Sequence, residues 1–178
     1  DQFGGYCFFN NAAVAAQRLR DRGAARVGIL DVDYHHGNGT ESIFLDRGDV
    51  VFVSIHADPR EEFPWFAGFA DERGTGAGAG ANLNLPLPKG ATSDAWFSAL
   101  ETALGFLDGA RLDALVVSLG VDAYEHDPLG TFALTTSDFA KAGERIRSLG
   151  LATVIVQEGG YAVEALGANV AAFLDRWA

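Results

Sequence analysis

The 178-residue sequence has no methionine, a single cysteine, and only 13 lysines and arginines against 24 acidic residues. One thiol, Cys7, excludes an internal disulfide and any cysteine-rich metal site. No apolar run approaches the roughly 20 residues needed to span a bilayer, and the start lacks the basic-then-apolar pattern of a secretory signal. A membrane role is therefore not expected, and a cytoplasmic location is the default. The formal charge of −11 gives a surface that repels nucleic acid and steers cationic ligands inward. A start at Asp1 without methionine leads us to expect a piece of a longer protein. With 48 % hydrophobic residues, the chain is read as one domain over residues 1–178.

What is present is a series of apolar runs alternating with helical patterns. The turn Gly4-Gly5 and the aromatic cluster Tyr6 to Phe9 precede an alanine-rich helix over 11–22, which Gly23 stops. The run Val27 to Leu30 predicts a strand, a short helix passes through 43–45, and 50–56 predicts a second strand. A long segment over 57–81 follows, glycine-rich at its end and carrying Phe63, Trp65, Phe66 and Phe69. A stretch that long inside a domain is commonly functional, and its aromatics suggest a packed wall. Strands are expected over 83–87, 112–119 and 153–157, and helices over 92–107, 136–149 and 163–177. Strands alternating with helices predict an α/β fold with a parallel sheet covered on both faces. Ligands in such sheets bind beyond the carboxyl ends of the strands.

Those ends hold the polar residues of interest. After Leu30 come Asp31, Asp33, His35 and His36. Asp33 and His35 are two apart, so in extended chain their side chains leave one face and offer two ligands for a divalent metal such as zinc. Zinc in a hydrolytic site takes three protein ligands and keeps a position for water. Asp122, directly after L-G-V, is the natural third, since it would otherwise be an unpaired charge at a buried edge. Asp31 alternates with Asp33 and is read as supporting the site or a second cation. His36 is expected to be structural and His56 a hydrogen-bonded core histidine. His126 and Asp127, before Pro128, are expected to be solvated or turn-forming. Glu158 reads equally well as a site partner or a satisfied strand-end acid. Tyr161 follows Gly159-Gly160, which lets its hydroxyl reach over a pocket as an oxyanion donor; an ordinary amphipathic tyrosine is the bland alternative. Neither glycine-rich stretch has the basic residues of a phosphate loop.

The pieces GYCFFNNAAVAA, LDVDYHHGNGT, SIHADPREEFPWFAG, GAGAGANLNLPLP, SLGVDAYEHDP and EGGY together resemble the histone deacetylase family, and within it the bacterial acetylpolyamine amidohydrolase branch. The resemblance runs from Gly5 to the end. It implies an arginase–deacetylase fold truncated at its N-terminus, of which this chain is the C-terminal portion, and a zinc amidohydrolase that removes acetyl groups from amines, with Fe²⁺ as an alternative metal. Asp33, His35 and Asp122 would then be the zinc ligands and Tyr161 the transition-state hydroxyl. Tyr6 and Phe63 would wall the substrate tunnel, with Gly5 and Gly160 on the substrate side. Asp31, Asp33, His35, Ser54 and the carbonyl of Ile55 would hold a structural potassium ion. Asn38 stands where the family's nuclear members have aspartate, which sides with the acetylpolyamine and class II branches.

One departure is large. The family's general base belongs to a tandem histidine pair just upstream of G-G-Y-C, and His35-His36 is the metal cluster, not that pair. The chain alone is therefore expected to be a poor or inactive catalyst. It is also expected to expose an unpaired sheet edge and to self-associate. The expected partner is a small cationic acetylated amine. Acetyl-lysine on proteins is the rival substrate, because it too presents an acetamide on an aliphatic chain. A non-catalytic metal- or acetyl-binding module is the rival from another class. An arginase-like dimanganese hydrolase fits less well, since the cluster supplies ligands for one transition metal.

Overall fold

Every apolar run read as a strand is one in the computed structural model, which describes residues 4–177; the ends of the 1–178 span lie outside the described residues. The elements follow in the order α1 (Asn11–Asp21), β1 (Val27–Asp31), α2 (Asn38–Phe44), β2 (Val50–Ala57), β3 (Asn82–Leu87), α3 (Ser93–Gly109), β4 (Ala114–Leu119), α4 (Thr136–Arg147), β5 (Ala152–Gln157) and α5 (Val163–Leu174). The strands form one sheet in the order β3-β2-β1-β4-β5, and all neighbours are parallel. The chain builds outward from β1 through β2 and β3, then returns to the other side of β1 with β4 and β5. β1 and β4 thus flank the point where strand order reverses, where a parallel sheet opens a crevice for ligands.

β1 and β2 are buried along their whole length, as strands covered on both faces must be. Alternate residues divide between two cores. On one face Val27, Ile29, Val50, Phe52 and Val116 pack against Ala12, Ala13 and Ala16 of α1 and Phe44 of α2. The small α1 side chains let that helix lie close to the sheet. On the other face Leu30, Val51, Val53, Leu115 and Val117 meet Trp96, Leu100 and Leu107 of α3, with Phe139 of α4 and Phe173 of α5 in the same layer. β5 is the exception: its residues are only partly covered, and Val154 is 39 % exposed. It is the open edge strand that the sequence leads one to expect.

Local chemistry sets the helix starts. Asn10 Oδ1 accepts the Ala13 N–H at 2.7 Å and caps α1, and Thr135 with Asp138 forms a capping box on α4. α2 begins at once behind Gly37, earlier than the apolar positions indicate. α5 stops at Leu174, and Trp177 stacks on Phe173 at 6.3 Å between ring centroids rather than continuing the helix. In the long β2–β3 segment the glycine run is a packing device. A Cβ on Gly78 would lie 2.5 Å from the Leu45 carbonyl oxygen and 2.7 Å from the Arg47 nitrogen. Among the described residues, no helix is long and apolar enough to cross a membrane.

Candidate metal centre

The crevice between β1 and β4 is where Asp33, His35 and Asp122 meet. One ligand atom from each lies within 4.8 Å of the other two. His35 Nδ1 is 3.2 Å from Asp122 Oδ2 and 3.4 Å from Asp33 Oδ1. Donors about 2.0–2.2 Å from a tetrahedral zinc stand about 3.3–3.6 Å apart, so the imidazole and both carboxylates are spaced for one small dication.

Sequence alternation names the right pair, but extended strand is not what aims it. β1 ends at Asp31, and the chain then bends through short side-chain-to-backbone bonds. Asp31 Oδ1 accepts the Asp33 N–H at 3.1 Å, and Asp33 Oδ1 accepts the His35 N–H at 2.8 Å. Asp122 Oδ1 accepts the Tyr34 N–H at 2.8 Å across the crevice, which leaves Oδ2 for the metal side. The β5 end closes over these groups. The Gly159 N–H donates to Asp33 Oδ2 at 2.9 Å, and a Cβ on Gly159 would come within 2.5 Å of Asp33 Oδ2 and 2.6 Å of Asp122 Oδ2. Only glycine lets the backbone pass this close to two carboxylates.

The electrostatics suit a cation. Burial, then the negative charge of Asp33, pushes Asp122 up to about 7. Burial raises Asp31 well above the carboxylate range, and the charge of Asp33 adds to it. Burial opposes a charge on His35, but the hydrogen bonds and charges of Asp122 and Asp33 outweigh it and hold the imidazole up to about 10. Crowded, desolvated carboxylates beside an imidazole that attracts positive charge are a donor set that a divalent metal relieves.

Above this cluster lies a cavity of about 1150 Å³, lined by Gly5, Tyr6, Asp31, Asp33, His35, Asn38, Phe63, Trp65, Gly159 and Tyr161 among others. Tyr6 packs edge-on against Tyr161 at 5.8 Å, and Phe63 stands edge-on to His35 at 6.4 Å. Tyr6, expected as one wall of a substrate tunnel, is 77 % exposed within this chain. Of the four aromatics expected as a packed wall, Trp65 and Phe66 are exposed, Phe63 has Trp65 leaning on it at 5.5 Å, and Phe69 is half-buried beneath Arg60 at 5.9 Å. Gly160 does not line the cavity; with φ +146° it packs against Val121 and Leu166. Glu158 lines the cavity and accepts the Cys7 thiol at 3.3 Å. Burial and that acid push Cys7 up to about 11, so the thiol stays protonated near neutrality.

The residues expected around potassium gather at one place. Asp31 and Ser54 are register partners across β1 and β2, both buried, with Ile55 the next residue along β2. His36 and His56 are core histidines, as the sequence indicates. His36 Nε2 is 3.1 Å from Glu41 Oε2, which also accepts from Asn82 and Asn84. His56 Nε2–H donates to the Gly68 carbonyl at 2.9 Å, while its Nδ1 accepts the Ser54 hydroxyl at 2.8 Å. That arrangement fits the neutral ring, and burial together with the nearby His36 holds His56 down to about 3. A base with a folded-state value below its unfolded one stabilises the fold above the unfolded value of 6.5 and loses that contribution as pH falls toward 3. Thermal unfolding from pH 7 to 4 is therefore expected to show the native protein losing stability relative to His56→Gln, by up to about 1.4 kcal/mol per pH unit. A constant difference would mean His56 does not stay neutral.

Asp127 takes the turn-forming role of the two expected for it, but it is not solvated. It is buried, and although it forms its own turn by accepting the Leu129 N–H at 2.9 Å, its other oxygen accepts the N–H groups of Tyr161 at 2.7 Å and Ala162 at 3.0 Å. Its neighbour His126 is exposed, against Tyr124. No local pattern marks Asp127, since its partners lie 34 and 35 residues away.

Comparison with known proteins places this geometry. The family described as histone deacetylase domain matches residues 1–177. Acetylpolyamine amidohydrolase 2 of Pseudomonas aeruginosa is 56 % identical over 169 residues, which cover 95 % of this chain and 49 % of that protein. The acetylpolyamine amidohydrolase of Mycoplana ramosa is 52 % identical over 171 residues, 96 % of this chain and 50 % of that protein. The crystal structure of acetylpolyamine aminohydrolase from Burkholderia pseudomallei superposes with a TM-score of 0.96 at 51 % identity, covering 98 % of this chain and 51 % of that one. The chain thus spans about half the length of the curated relatives it matches.

Proposed function

The chain belongs to the histone deacetylase family, and we propose that it carries the metal centre of a zinc-dependent amidohydrolase that removes acetyl groups from amines, acetylpolyamines first among them. The observation that carries this reading is the convergence of Asp33, His35 Nδ1 and Asp122 beside a cavity that Tyr161 lines. Asp33, His35 and Asp122 would hold the metal. Zinc bound there would polarise the acetamide carbonyl and acidify a water toward neutrality, and Fe²⁺ tolerates the same imidazole–carboxylate donors.

The chain's own residues supply the rest. Tyr161 donates its O–H to the acetamide oxygen as negative charge develops on it. Tyr6 and Phe63 flank an aliphatic chain tipped by a flat amide. Glu158 lines the same cavity and favours a substrate that carries positive charge elsewhere, whereas Glu62, also on its wall, is paired with Lys89 at 3.2 Å. Asp31, Asp33, His35, Ser54 and the Ile55 carbonyl would hold potassium, which offsets the buried Asp31 charge. The proton acceptor for the attacking water is assigned to the tandem histidines that the family resemblance puts upstream of G-G-Y-C, so the chain by itself is expected to turn over poorly. A second reading is acetyl-lysine on a protein, which presents the same acetamide on an aliphatic chain. Comparing an acetylated diamine with an acetyl-lysine peptide, on the longest natural protein containing this chain, separates the two.

Metal content is the direct test. Elemental analysis of the purified chain is expected to find about one zinc per molecule and almost none in Asp33→Ala. A folded chain that takes up no zinc would refute the assignment of this site as self-sufficient.

A further inference from the structure

We propose that Asp127 is the positioning residue for Tyr161, locking the hydroxyl-bearing segment to the loop that supplies Asp122. The inference rests on the role proposed above for Tyr161 and goes beyond it to what holds that side chain in place. Tyr161 follows Gly159-Gly160, and Gly160 sits at φ +146°, so the backbone leading into it has little conformational preference of its own. Tyr161 also precedes α5, whose first residue is Val163 and whose N-cap, Ala162, has no side chain able to accept an N–H. A helix start normally takes a local serine, threonine or aspartate for that purpose. Here the acceptor arrives from the β4–α4 loop instead. Asp127 Oδ2 receives the N–H groups of both Tyr161 and Ala162, at 2.7 and 3.0 Å.

The two oxygens of Asp127 have separate partners. Oδ1 accepts the Leu129 N–H at 2.9 Å and closes the loop on itself. That loop passes close against the Asp122 backbone, since a Cβ on Gly130 would collide with the Asp122 carbonyl oxygen. Successive turns link the two aspartates: the Tyr124 N–H donates to the Val121 carbonyl at 3.3 Å and the Asp127 N–H to the Tyr124 carbonyl at 2.9 Å. A buried carboxylate satisfied by three N–H groups is a rigid link between the ligand-bearing loop and the Tyr161 segment. Asparagine in its place keeps one accepting oxygen, enough for the Tyr161 and Ala162 pair or for Leu129, whereas alanine accepts from none of the three.

The test is a double-mutant cycle in steady-state kinetics, on the longest natural protein containing this chain, with zinc content and thermal midpoint measured on each variant. Asp127→Ala is expected to lower kcat about tenfold to a hundredfold, the size of a lost charge-assisted bond, with KM nearly unchanged and zinc retained. In a Tyr161→Phe background the same change is expected to cost less than about twofold, since the group it positions is already gone. Equal losses in both backgrounds, or an unchanged kcat, would overturn the proposal for Asp127 while leaving Tyr161 in the mechanism. An unimpaired Tyr161→Phe enzyme would overturn the underlying reading, and this proposal with it. Should Asp127→Ala fail to fold, Ala162→Pro serves in its place. It deletes one of the two N–H groups at a φ of −75° that suits proline. A smaller kcat loss, again confined to the tyrosine-bearing enzyme, supports the proposal; a loss shared by both backgrounds overturns it.

Discussion

Asp122→Ala abolishes tight metal binding and the thermal stabilisation that goes with it: that is the expected result, and it is the sharpest test of the three-ligand site. A ligand present at a thousandfold excess over its dissociation constant stabilises the folded state by about 4 kcal/mol. The native chain with zinc is expected to gain stability on that scale, and the variant none. Without metal the comparison is different. Burial and the nearby Asp33 make an ionised Asp122 costly to the fold, so its removal relieves repulsion. The alanine also leaves the buried Tyr34 N–H, now at 2.8 Å from Asp122 Oδ1, without an acceptor, a penalty of about 1–3 kcal/mol. Asp122→Asn separates the two effects. It keeps an acceptor for Tyr34 but lacks the charge, so it is expected to be at least as stable as the native chain without zinc and to lose most of the zinc-induced shift. Differential scanning of the three proteins with and without zinc reads all of this. An undiminished zinc shift in Asp122→Ala would remove Asp122 from the ligand set.

The sequence shows the strands plainly because a parallel sheet buried on both faces needs continuous apolar runs, and Val27 to Leu30 or Val50 to Ile55 have no other stable use. It also shows Asp33 and His35, since two metal-binding side chains next to a strand end are rare without purpose. Asp122 was accessible by a different route, as a charge placed at the end of an apolar run. Strand order was not legible. Nothing in the local pattern says that β4 inserts beside β1, and that adjacency is what brings Asp122 within 3.2 Å of His35. Asp127 escaped for the same reason, because its value lies in two backbone N–H groups far along the chain. Gly159 and Gly160 look in sequence like one source of freedom for Tyr161, whereas the structure gives them different tasks. Gly159 makes room for two carboxylates, and Gly160 supplies the backbone angle. The exposure of Tyr6 is likewise a property of what surrounds it and not of the G-G-Y-C motif.

Tyr161→Phe tests the chemistry rather than the metal. In the longest natural protein containing this chain, the variant is expected to lose about 10²–10³ in kcat, the size of one deleted oxyanion donor. KM should change little, because the bond strengthens only as the acetamide oxygen gains charge. Zinc content should stay at the native level, since the three ligand atoms assigned to the metal come from Asp33, His35 and Asp122. The hydroxyl is suited to this work. Burial, followed by the negative charges of Asp33 and Asp122, pushes its ionisation above the usual tyrosine value, so it remains a donor throughout any practical assay range. Removing one oxygen leaves the ring and its edge-on contact with Tyr6 at 5.8 Å, so the fold should not register the change. A kcat equal to the native value would take Tyr161 out of the mechanism and leave the metal centre to act with a donor from elsewhere. A fall in kcat accompanied by loss of zinc would assign the tyrosine to holding the site together instead of stabilising the transition state.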